Sequence, residues 1–164
     1  MMTGVSPLDH RILDFLRVNP VTHEREPITS DERKVPAIWN MATAGGKKVG
    51  ALGFWATYPA ESINGLMVSD RLFTFLYGEA APPPGVVYPA AQETWARDGL
   101  TRAQAGVGYD TVKAMLPWLD AAEYAKAAAV TDPYAHPVSA LRRILVETRV
   151  YDELGRDWLT RRAI

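Results

Sequence analysis

The chain has 164 residues, a formal net charge of −1 and 48% hydrophobic residues, a composition typical of one globular domain or part of one. It contains no cysteine, which excludes disulfide frameworks, thiolate metal sites and cysteine nucleophiles. Lys and Arg are not clustered, which argues against a nucleic-acid-binding surface. No apolar run approaches the roughly 20 residues that a membrane helix requires. None of these features fixes the compartment.

The first 44 residues predict an irregular region followed by a helix. Residues 1–30 are rich in polar residues and proline, and "VNPVTHEREPIT" predicts a surface loop or short hairpin. Thr29 and Glu32 stand at the spacing of a capping box, and Pro36 suits a first helical turn. "AGGKK" ends the helix, with Gly45 or Gly46 in the left-handed conformation. The apolar residues predicted on one helical face are Val35, Ile38, Met41 and Ala42.

Two short apolar segments follow and predict strands. "KVGALGFW", centred on residues 49–55, has the composition of a strand buried on both faces, and "NGLMVSD" is a second short strand. A helix, a glycine turn and a buried strand form half of an α/β unit. A parallel sheet is therefore expected.

The rest of the chain predicts loops and helices. Residues 78–89 contain four prolines and predict no regular structure. Helices are expected over residues 90–99 and 111–129, the second broken or kinked at Pro117. From Val138 onward, apolar residues recur every three or four positions and predict the strongest helix of the chain. The apolar positions of this helix are Leu141, Ile144, Leu145, Thr148, Tyr151, Leu154 and Trp158.

No catalytic motif stands out from the residues alone. His10, His23 and His136 are scattered, without the spacing of metal ligands. The two glycines of "AGVGYDT" (105–111) are a weak phosphate-loop signal. The arginines of the last helix, at positions 142, 143, 149, 161 and 162, alternate with acids and predict a solvated face.

The segment after the first strand is the best candidate for a site. Trp55, Thr57, Tyr58 and Glu61 lie beyond its carboxyl end, which is the edge where ligands bind in open α/β sheets. The aromatic side chains could line a cleft, and Thr57 and Glu61 could supply hydrogen bonds. The alternative is that Phe54 and Trp55 pack in the core and that Tyr58 and Pro59 form a rigid turn.

At this point the chain resembles a known family. "VPAIWNMATAGGKKVG" and "KKVGALGFWATYPAESINGLMVSDRL" are similar to the bacterial branch of the type I phosphodiesterase/nucleotide pyrophosphatase family, in the alkaline-phosphatase superfamily. The similarity is dense over residues 30–72. Upstream, "MTGVSPLDHRILDF" resembles the family's Ala-Thr-Gly and Pro-x-x-His-Gly-Ile segments. Arg11 replaces the family's glycine, and Phe15 aligns with its phosphate-binding asparagine.

The resemblance implies part of an alkaline-phosphatase-like parallel sheet flanked by helices, with a mainly helical insertion or extension. Family members hydrolyse small phosphoesters with two divalent metal ions, usually zinc, and a Thr or Ser nucleophile. The nucleophile aligns just before Met1, and further metal-binding Asp and His residues would follow the last helix. The resemblance therefore implies an internal fragment that is inactive alone and contributes Trp55, Thr57, Tyr58 and Glu61 to substrate binding. His10 matches a family histidine that is interpreted as structural.

In domain terms, this interpretation makes residues 1–164 a single partial domain. It consists of a family-like α/β segment (1–72), a variable helical and loop insertion (73–135) and a long helix (136–164). Two alternatives remain open at this stage. One is a standalone, non-catalytic α/β binding module. The other is a fragment of another member of the superfamily, such as a sulfatase.

Overall fold

The computed structural model describes residues 2–73, 81–132 and 135–162, with the side chain of Arg162 left out. In these ranges the protein is α/β with a helical extension, as predicted. Short 3-10 turns lie at Ser30–Glu32, Asp70–Leu72 and Ala90–Gln92. The main elements are α1 (Pro7–His10), β1 (Leu16–Val18), β2 (Arg25–Pro27), α2 (Ile38–Ala44), β3 (Val49–Leu52), β4 (Gly65–Val68), β5 (Val87–Tyr88), α3 (Glu93–Gly106), α4 (Tyr109–Met115), α5 (Ala121–Ala128) and α6 (Pro137–Arg162).

The chain divides into two compact units, and the division falls within α3. The first unit covers Met1–Ala96 and the second Arg97–Ile164. The first unit contains both small sheets, and the second is helical. The boundary lies inside the range 73–135 that the sequence predicted as an insertion.

The three-stranded sheet of the first unit contains the predicted parallel pair. β3 and β4 pair in parallel, with Val49 opposite Gly65 and Leu52 opposite Val68. The third strand, β5, pairs antiparallel with β4. Its position in the proline-rich range 78–89 means that the prediction of no regular structure there was wrong at Val87–Tyr88. Proline is tolerated beside so short an edge strand, because few ladder hydrogen bonds are lost.

The predicted helix after residue 30 consists of two separate elements. Thr29 and Glu32 do form the reciprocal capping interaction, with the Thr29 backbone N–H donating to Glu32 Oε1 at 3.0 Å. It caps only the 3-10 turn, and α2 begins at Ile38. The apolar face predicted for α2 was also wrong, because Ile38 and Met41 are exposed while Ala37 and Trp39 are buried. The predicted glycine stop is confirmed, with Gly46 at φ +71°.

A small apolar core joins α2 to the sheet. Trp39 and Ala37 pack with Ala51 of β3 and Met67 of β4, and Ile63 completes the cluster. The strand pattern explains the packing, since alternate side chains of a strand point to opposite faces. Burial of Trp39 therefore fixes α2 against one face of the sheet.

The N-terminal region forms the short hairpin that was one of the two expectations. β1 and β2 pair antiparallel from Leu16 opposite Pro27 to Val18 opposite Arg25. In the connecting loop, Asn19 Oδ1 accepts hydrogen bonds from the backbone N–H groups of Val21 and Thr22. This is the local side-chain bonding by which Asn favours turns.

The helices of the second unit end near helix-breaking residues of the sequence. α4 ends at Met115, two residues before Pro117, as predicted. The carbonyl of Leu119 in this break accepts hydrogen bonds from Lys113 Nζ at 2.6 Å and Tyr109 Oη at 3.1 Å. Asp120 then caps α5 by accepting from the Glu123 N–H at 2.8 Å.

The long C-terminal helix is confirmed, but its buried face differs from the predicted one. Val146, Val150 and Leu154 are buried at intervals of four residues, whereas Ile144 is half exposed. The prediction of a solvated arginine face was wrong in part, because Arg142 and Arg143 are half-buried whereas Arg149 is exposed. Arg142, Arg143 and Arg149 donate to backbone carbonyls of Gln104, Gly106, Val107, Val130 and Thr131. They satisfy the carbonyls at the end of α3 and after α5, as basic side chains commonly do at helix C-termini.

None of the helices in the described ranges is both long and apolar enough to cross a membrane.

The close approach of β4 to β3 requires glycine at position 65. Gly65 has φ +150°, and a Cβ atom at this position would overlap the carbonyl oxygen of Val49. We expect Gly65→Ala to lower the free energy of unfolding of the first unit by about 2 kcal/mol or more, because the two strands must move apart. Urea unfolding followed by circular dichroism measures the change.

Gly155→Ala is the matched control for this prediction. Gly155 lies within α6, and no atom stands within 4 Å of an added Cβ. Alanine is the better helix former by about 1 kcal/mol, so this variant should be neutral or more stable. Equal stability of Gly65→Ala and the parent chain would contradict the strand geometry.

Candidate functional site

A cavity of about 480 Å³ lies in the first unit, at the carboxyl edge of the parallel strand pair. Phe54 and Trp55 follow β3, and Asp70 follows β4. The opposite wall comes from the N-terminal segment between α1 and β1 and from the end of β2. The residues that line the cavity are Met2, Pro7, His10, Ile12, Leu13, Asp14, Phe15, Pro27, Ile28, Trp39, Phe54, Trp55, Ala56 and Asp70.

Four aromatic side chains dominate this lining. The rings of Phe15 and Trp55 have centroids 4.9 Å apart, and those of Trp39 and Phe54 are 5.6 Å apart. Both pairs are tilted, which aromatic rings prefer over a face-to-face arrangement. Trp39 is buried, whereas Phe15, Phe54 and Trp55 are exposed. The cavity is therefore a largely apolar cleft that is open to solvent along part of its aromatic wall.

The turn that carries Trp55 is held by Asp70. The Asp70 carboxylate accepts from the backbone N–H groups of Ala56 and Thr57, each at 3.3 Å. The Thr57 hydroxyl lies within hydrogen-bond distance of the Phe54 carbonyl and of the Asp70 carboxylate, and it accepts from the Asp70 N–H. Ala56 has φ +57°, a conformation that these bonds hold in place. Thr57 is buried and serves this turn.

Glu61 lies at the centre of a polar network below the cavity wall. Its carboxylate accepts from Arg33 Nη2 at 2.6 Å, from Asn40 Nδ2 at 2.9 Å and from Trp39 Nε1 at 3.0 Å. Asn40 in turn accepts from Arg33 and from the backbone N–H of Ala37. The Arg33 side chain is nearly buried, and its guanidinium lies 5.3 Å from the ring centroid of Trp39. The network therefore fixes the orientation of Trp39, a wall of the cavity.

The network stabilises the ionised form of Glu61. Burial of the carboxyl raises its pKa, but the hydrogen bonds from Arg33, Asn40 and Trp39 and the charge of Arg33 lower it by more. The pKa of Glu61 consequently lies below its ordinary value. This is the combination expected of a carboxylate that is partly desolvated but fully paired.

Tyr58 stands on the outer side of the same loop. The Arg71 guanidinium lies 4.6 Å from its ring centroid, and its hydroxyl donates to the Pro84 carbonyl at 3.3 Å. Its backbone carbonyl accepts from the Ser30 N–H at 2.6 Å. Tyr58 therefore ties the loop to neighbouring segments of the first unit.

The structure separates the four residues predicted for substrate binding. Trp55 lines the cavity, whereas Thr57, Tyr58 and Glu61 form the loop and network that support it. Phe15, Trp39 and Asp14 also line the cavity and were not among the predicted site residues. Trp39 carried a signal, because the Trp-Asn pair lies in the family-like segment; in the structure both side chains donate to Glu61. Phe15 is 40 residues before Trp55, and no pattern in the sequence predicts the contact between their rings.

The ionisable side chains of the lining are two aspartates and one histidine. Asp14 and Asp70 are its carboxylates, and the described lining includes no Lys or Arg. His10 is buried, and its Nδ1 accepts from the Ile12 N–H at 3.1 Å. The net electrostatic character of the described lining is therefore acidic.

The described residues bring no group of possible metal ligands together. Across residues 2–73, 81–132 and 135–162, no three His, Asp or Glu side chains stand close enough together to hold a metal ion. Asp70, the carboxylate nearest the sheet edge, is engaged by two backbone N–H groups. The "AGVGYDT" stretch was a weak phosphate-loop signal. In the structure its Gly108 is the N-cap residue of α4, a helix of seven residues.

Comparisons with protein-family models, with curated proteins and with solved structures find no match to this chain.

Removing the charge of Glu61 should destabilise the first unit. We expect Glu61→Gln to lower the free energy of unfolding by about 2–4 kcal/mol near pH 7, because Arg33 stays nearly buried without its counter-charge. Since folding lowers the pKa of Glu61, the stabilisation is present above the ordinary value of 4.5 and is lost as the pH falls through the folded-state pKa. The difference between the two proteins should therefore shrink below that pH.

Urea unfolding between pH 3 and pH 7 measures this difference. The control is Asp152→Asn, which removes an exposed ion pair with Arg156 in α6. Such a pair contributes at most about 1 kcal/mol, so the control should unfold almost like the parent chain. A Glu61→Gln protein as stable as the parent at pH 7 would show that the network adds nothing to folding.

Proposed function

We propose that the cavity is the substrate-binding part of a phosphodiesterase- or nucleotide-pyrophosphatase-like hydrolase of the alkaline-phosphatase superfamily. In this proposal it holds the organic group of a small phosphoester. The observation that carries the proposal is that the two family-like segments converge on one cavity. His10 and Phe15 come from the first segment, and Trp39, Phe54 and Trp55 come from the second.

The position of the cavity supports the proposal. It opens beyond the carboxyl ends of β3 and β4, where ligands bind in open α/β sheets. An aromatic cleft with a few oriented polar groups is the usual form of a small-molecule site. Of the four residues first proposed for substrate binding, Trp55 is retained as a contact. Thr57, Tyr58 and Glu61 are proposed to position it.

A backbone feature agrees with the resemblance at Arg11. This residue replaces the glycine that follows the histidine in the family, and it has φ +68° and ψ 9°. Glycine adopts this left-handed conformation without steric cost, whereas other residues do so uncommonly. If this segment keeps the backbone conformation of the family, the residue that replaces the glycine would have the positive φ angle that Arg11 has.

The proposal assigns binding, rather than chemical steps, to the described residues. Two divalent metal ions, usually zinc, would activate the nucleophile and stabilise the transferring group in the whole enzyme, as in the family. The residues of this chain would exclude water from the organic group and orient it, through the rigid aromatic walls.

Binding of an aryl phosphodiester tests the proposal. We expect the chain to bind bis-p-nitrophenyl phosphate and Trp55→Ala to weaken that binding about five- to tenfold, because a stacking surface is lost. Isothermal titration calorimetry gives the affinity. Trp118→Ala is the control, because Trp118 is an exposed tryptophan of the second unit. Equal affinity for both variants would place binding outside the cavity.

Turnover of the same compound tests the proposal that this chain binds the substrate without hydrolysing it. We expect the purified chain to release no p-nitrophenol above background, with or without added zinc, because the described residues assemble no metal site. Release can be followed by absorbance. Zinc-dependent turnover that is abolished by a chelator would contradict this part of the proposal.

A non-catalytic ligand-binding module is the second candidate. It is favoured by the fact that the described residues of the first unit line the cavity by themselves. The coding DNA on both sides of this sequence distinguishes the candidates. An in-frame Thr or Ser nucleophile motif upstream and a strand with Asp and His downstream would favour the hydrolase.

A further inference from the structure

We propose that the group held in the cavity is an organic cation, specifically a quaternary or fully alkylated ammonium. The inference rests on the proposed function, because it names the substrate class of that same cavity: a phosphoester of an alcohol that carries such a cation. It is argued from three properties of the lining, namely its aromatic faces, its charge and its apolar remainder.

The aromatic walls provide the first argument. Phe15, Phe54 and Trp55 are 64%, 40% and 47% exposed, so a large part of the aromatic wall is accessible to a ligand. Phe15 and Trp55 are tilted by 53° to each other, so that they present two differently oriented surfaces to the cleft. A rounded alkylammonium is attracted to several ring faces at once, since each has a negative centre.

The charge of the lining provides the second argument. Asp14 and Asp70 are the carboxylates among the described lining residues, which include no Lys or Arg. One Asp14 oxygen accepts from the neighbouring Phe15 N–H at 2.7 Å, which places the carboxylate against the backbone of that aromatic residue. A carboxylate in the lining attracts a cationic group.

The apolar remainder of the lining provides the third argument. Met2, Pro7, Ile12, Leu13, Pro27, Ile28 and Ala56 supply no hydrogen-bonding side chains. An ammonium group with N–H donors would find side-chain acceptors among these apolar residues only at the two carboxylates, and its other donors would lose hydration at a cost. A quaternary ammonium has no N–H group to satisfy, and its methyl groups suit apolar contacts. The lining therefore favours the fully alkylated form.

The same unit already places cations over its aromatic rings. The Arg33 guanidinium lies 5.3 Å from the Trp39 centroid, and that of Arg71 lies 4.6 Å from the Tyr58 centroid. Both distances are within the range in which a cation is attracted to a ring face. A ligand cation in the cavity would extend this mode of contact to the exposed rings.

Choline and its uncharged isostere, 3,3-dimethylbutan-1-ol, test the inference directly. The two probes have nearly the same shape and differ in charge, so the ratio of their affinities isolates the electrostatic contribution. We expect the full chain to bind choline about tenfold more tightly than the isostere in isothermal titration calorimetry. Equal affinity for the two probes would overturn the inference, as would absence of choline binding.

Two variants locate the interaction, and Trp118→Ala is again the control. Asp14→Asn keeps an oxygen for the Phe15 N–H but removes the charge, so it should weaken choline several-fold and leave the isostere unchanged. Trp55→Ala should weaken choline about tenfold. Unchanged choline affinity in both variants would overturn the inference, because the cation would then bind elsewhere. Circular dichroism of each variant verifies that it is folded.

The outcome for bis-p-nitrophenyl phosphate separates this inference from the proposed function. If the chain binds that diester through Trp55 but does not prefer choline to its isostere, the proposed function stands and the cation inference fails. If it prefers choline but does not bind the diester, the cavity is a cation site and the aryl-diester test of the proposed function has failed.

Discussion

The polar network around Glu61 is the interaction on which the cavity depends. Its carboxylate joins Arg33 of the segment before α2, Trp39 and Asn40 within α2, and its own loop after β3. Three separate parts of the first unit are thereby fixed to one another. A nearly buried guanidinium tolerates loss of water only when its counter-charge is in place, and Glu61 supplies that charge, although Arg33 Nη1 has no acceptor among the described residues. Trp39, which packs in the core and lines the cavity, consequently has one defined orientation.

This arrangement assigns different tasks to neighbouring residues of one short loop. Asp70 and Thr57 hold the turn that presents Trp55, and Glu61 holds the helix that presents Trp39. The side chains that contact a ligand are therefore supported by side chains that do not. Such support from a surrounding shell is what gives a binding site its precision. It also explains why a cluster of aromatic and polar residues follows so short a strand.

Much of the fold could be predicted because its signals are local. The apolar runs that became β3 and β4, the break at Pro117 and the long amphipathic α6 all follow from spacing within a few residues. β5 was missed because prolines surround its two residues. The faces of α2 and α6 were misjudged because burial depends on which elements pack against them. Propensity and periodicity do not contain that information.

The site was only partly predictable, for a related reason. Trp55 follows a strand and could be placed at its carboxyl end. The inward or outward direction of Thr57, Tyr58 and Glu61, however, depends on a turn with Ala56 at φ +57°. Phe15 and Asp14 join the cavity through tertiary packing of the N-terminal segment; the resemblance aligned Phe15 with a phosphate-binding position but did not predict its contact with Trp55. The acidic, aromatic character of the cleft therefore emerges only when residues distant in sequence are brought together.

The central claim is that ligands occupy the aromatic cavity of the first unit. The indole N–H signals of the five tryptophans, recorded in ¹H–¹⁵N correlation spectra during titration with choline or bis-p-nitrophenyl phosphate, test it directly. The account predicts saturable shifts for Trp55 and Trp39, with Trp118 and Trp158 unchanged. Shifts confined to Trp118 or Trp158, or spread evenly over all five signals, would contradict it.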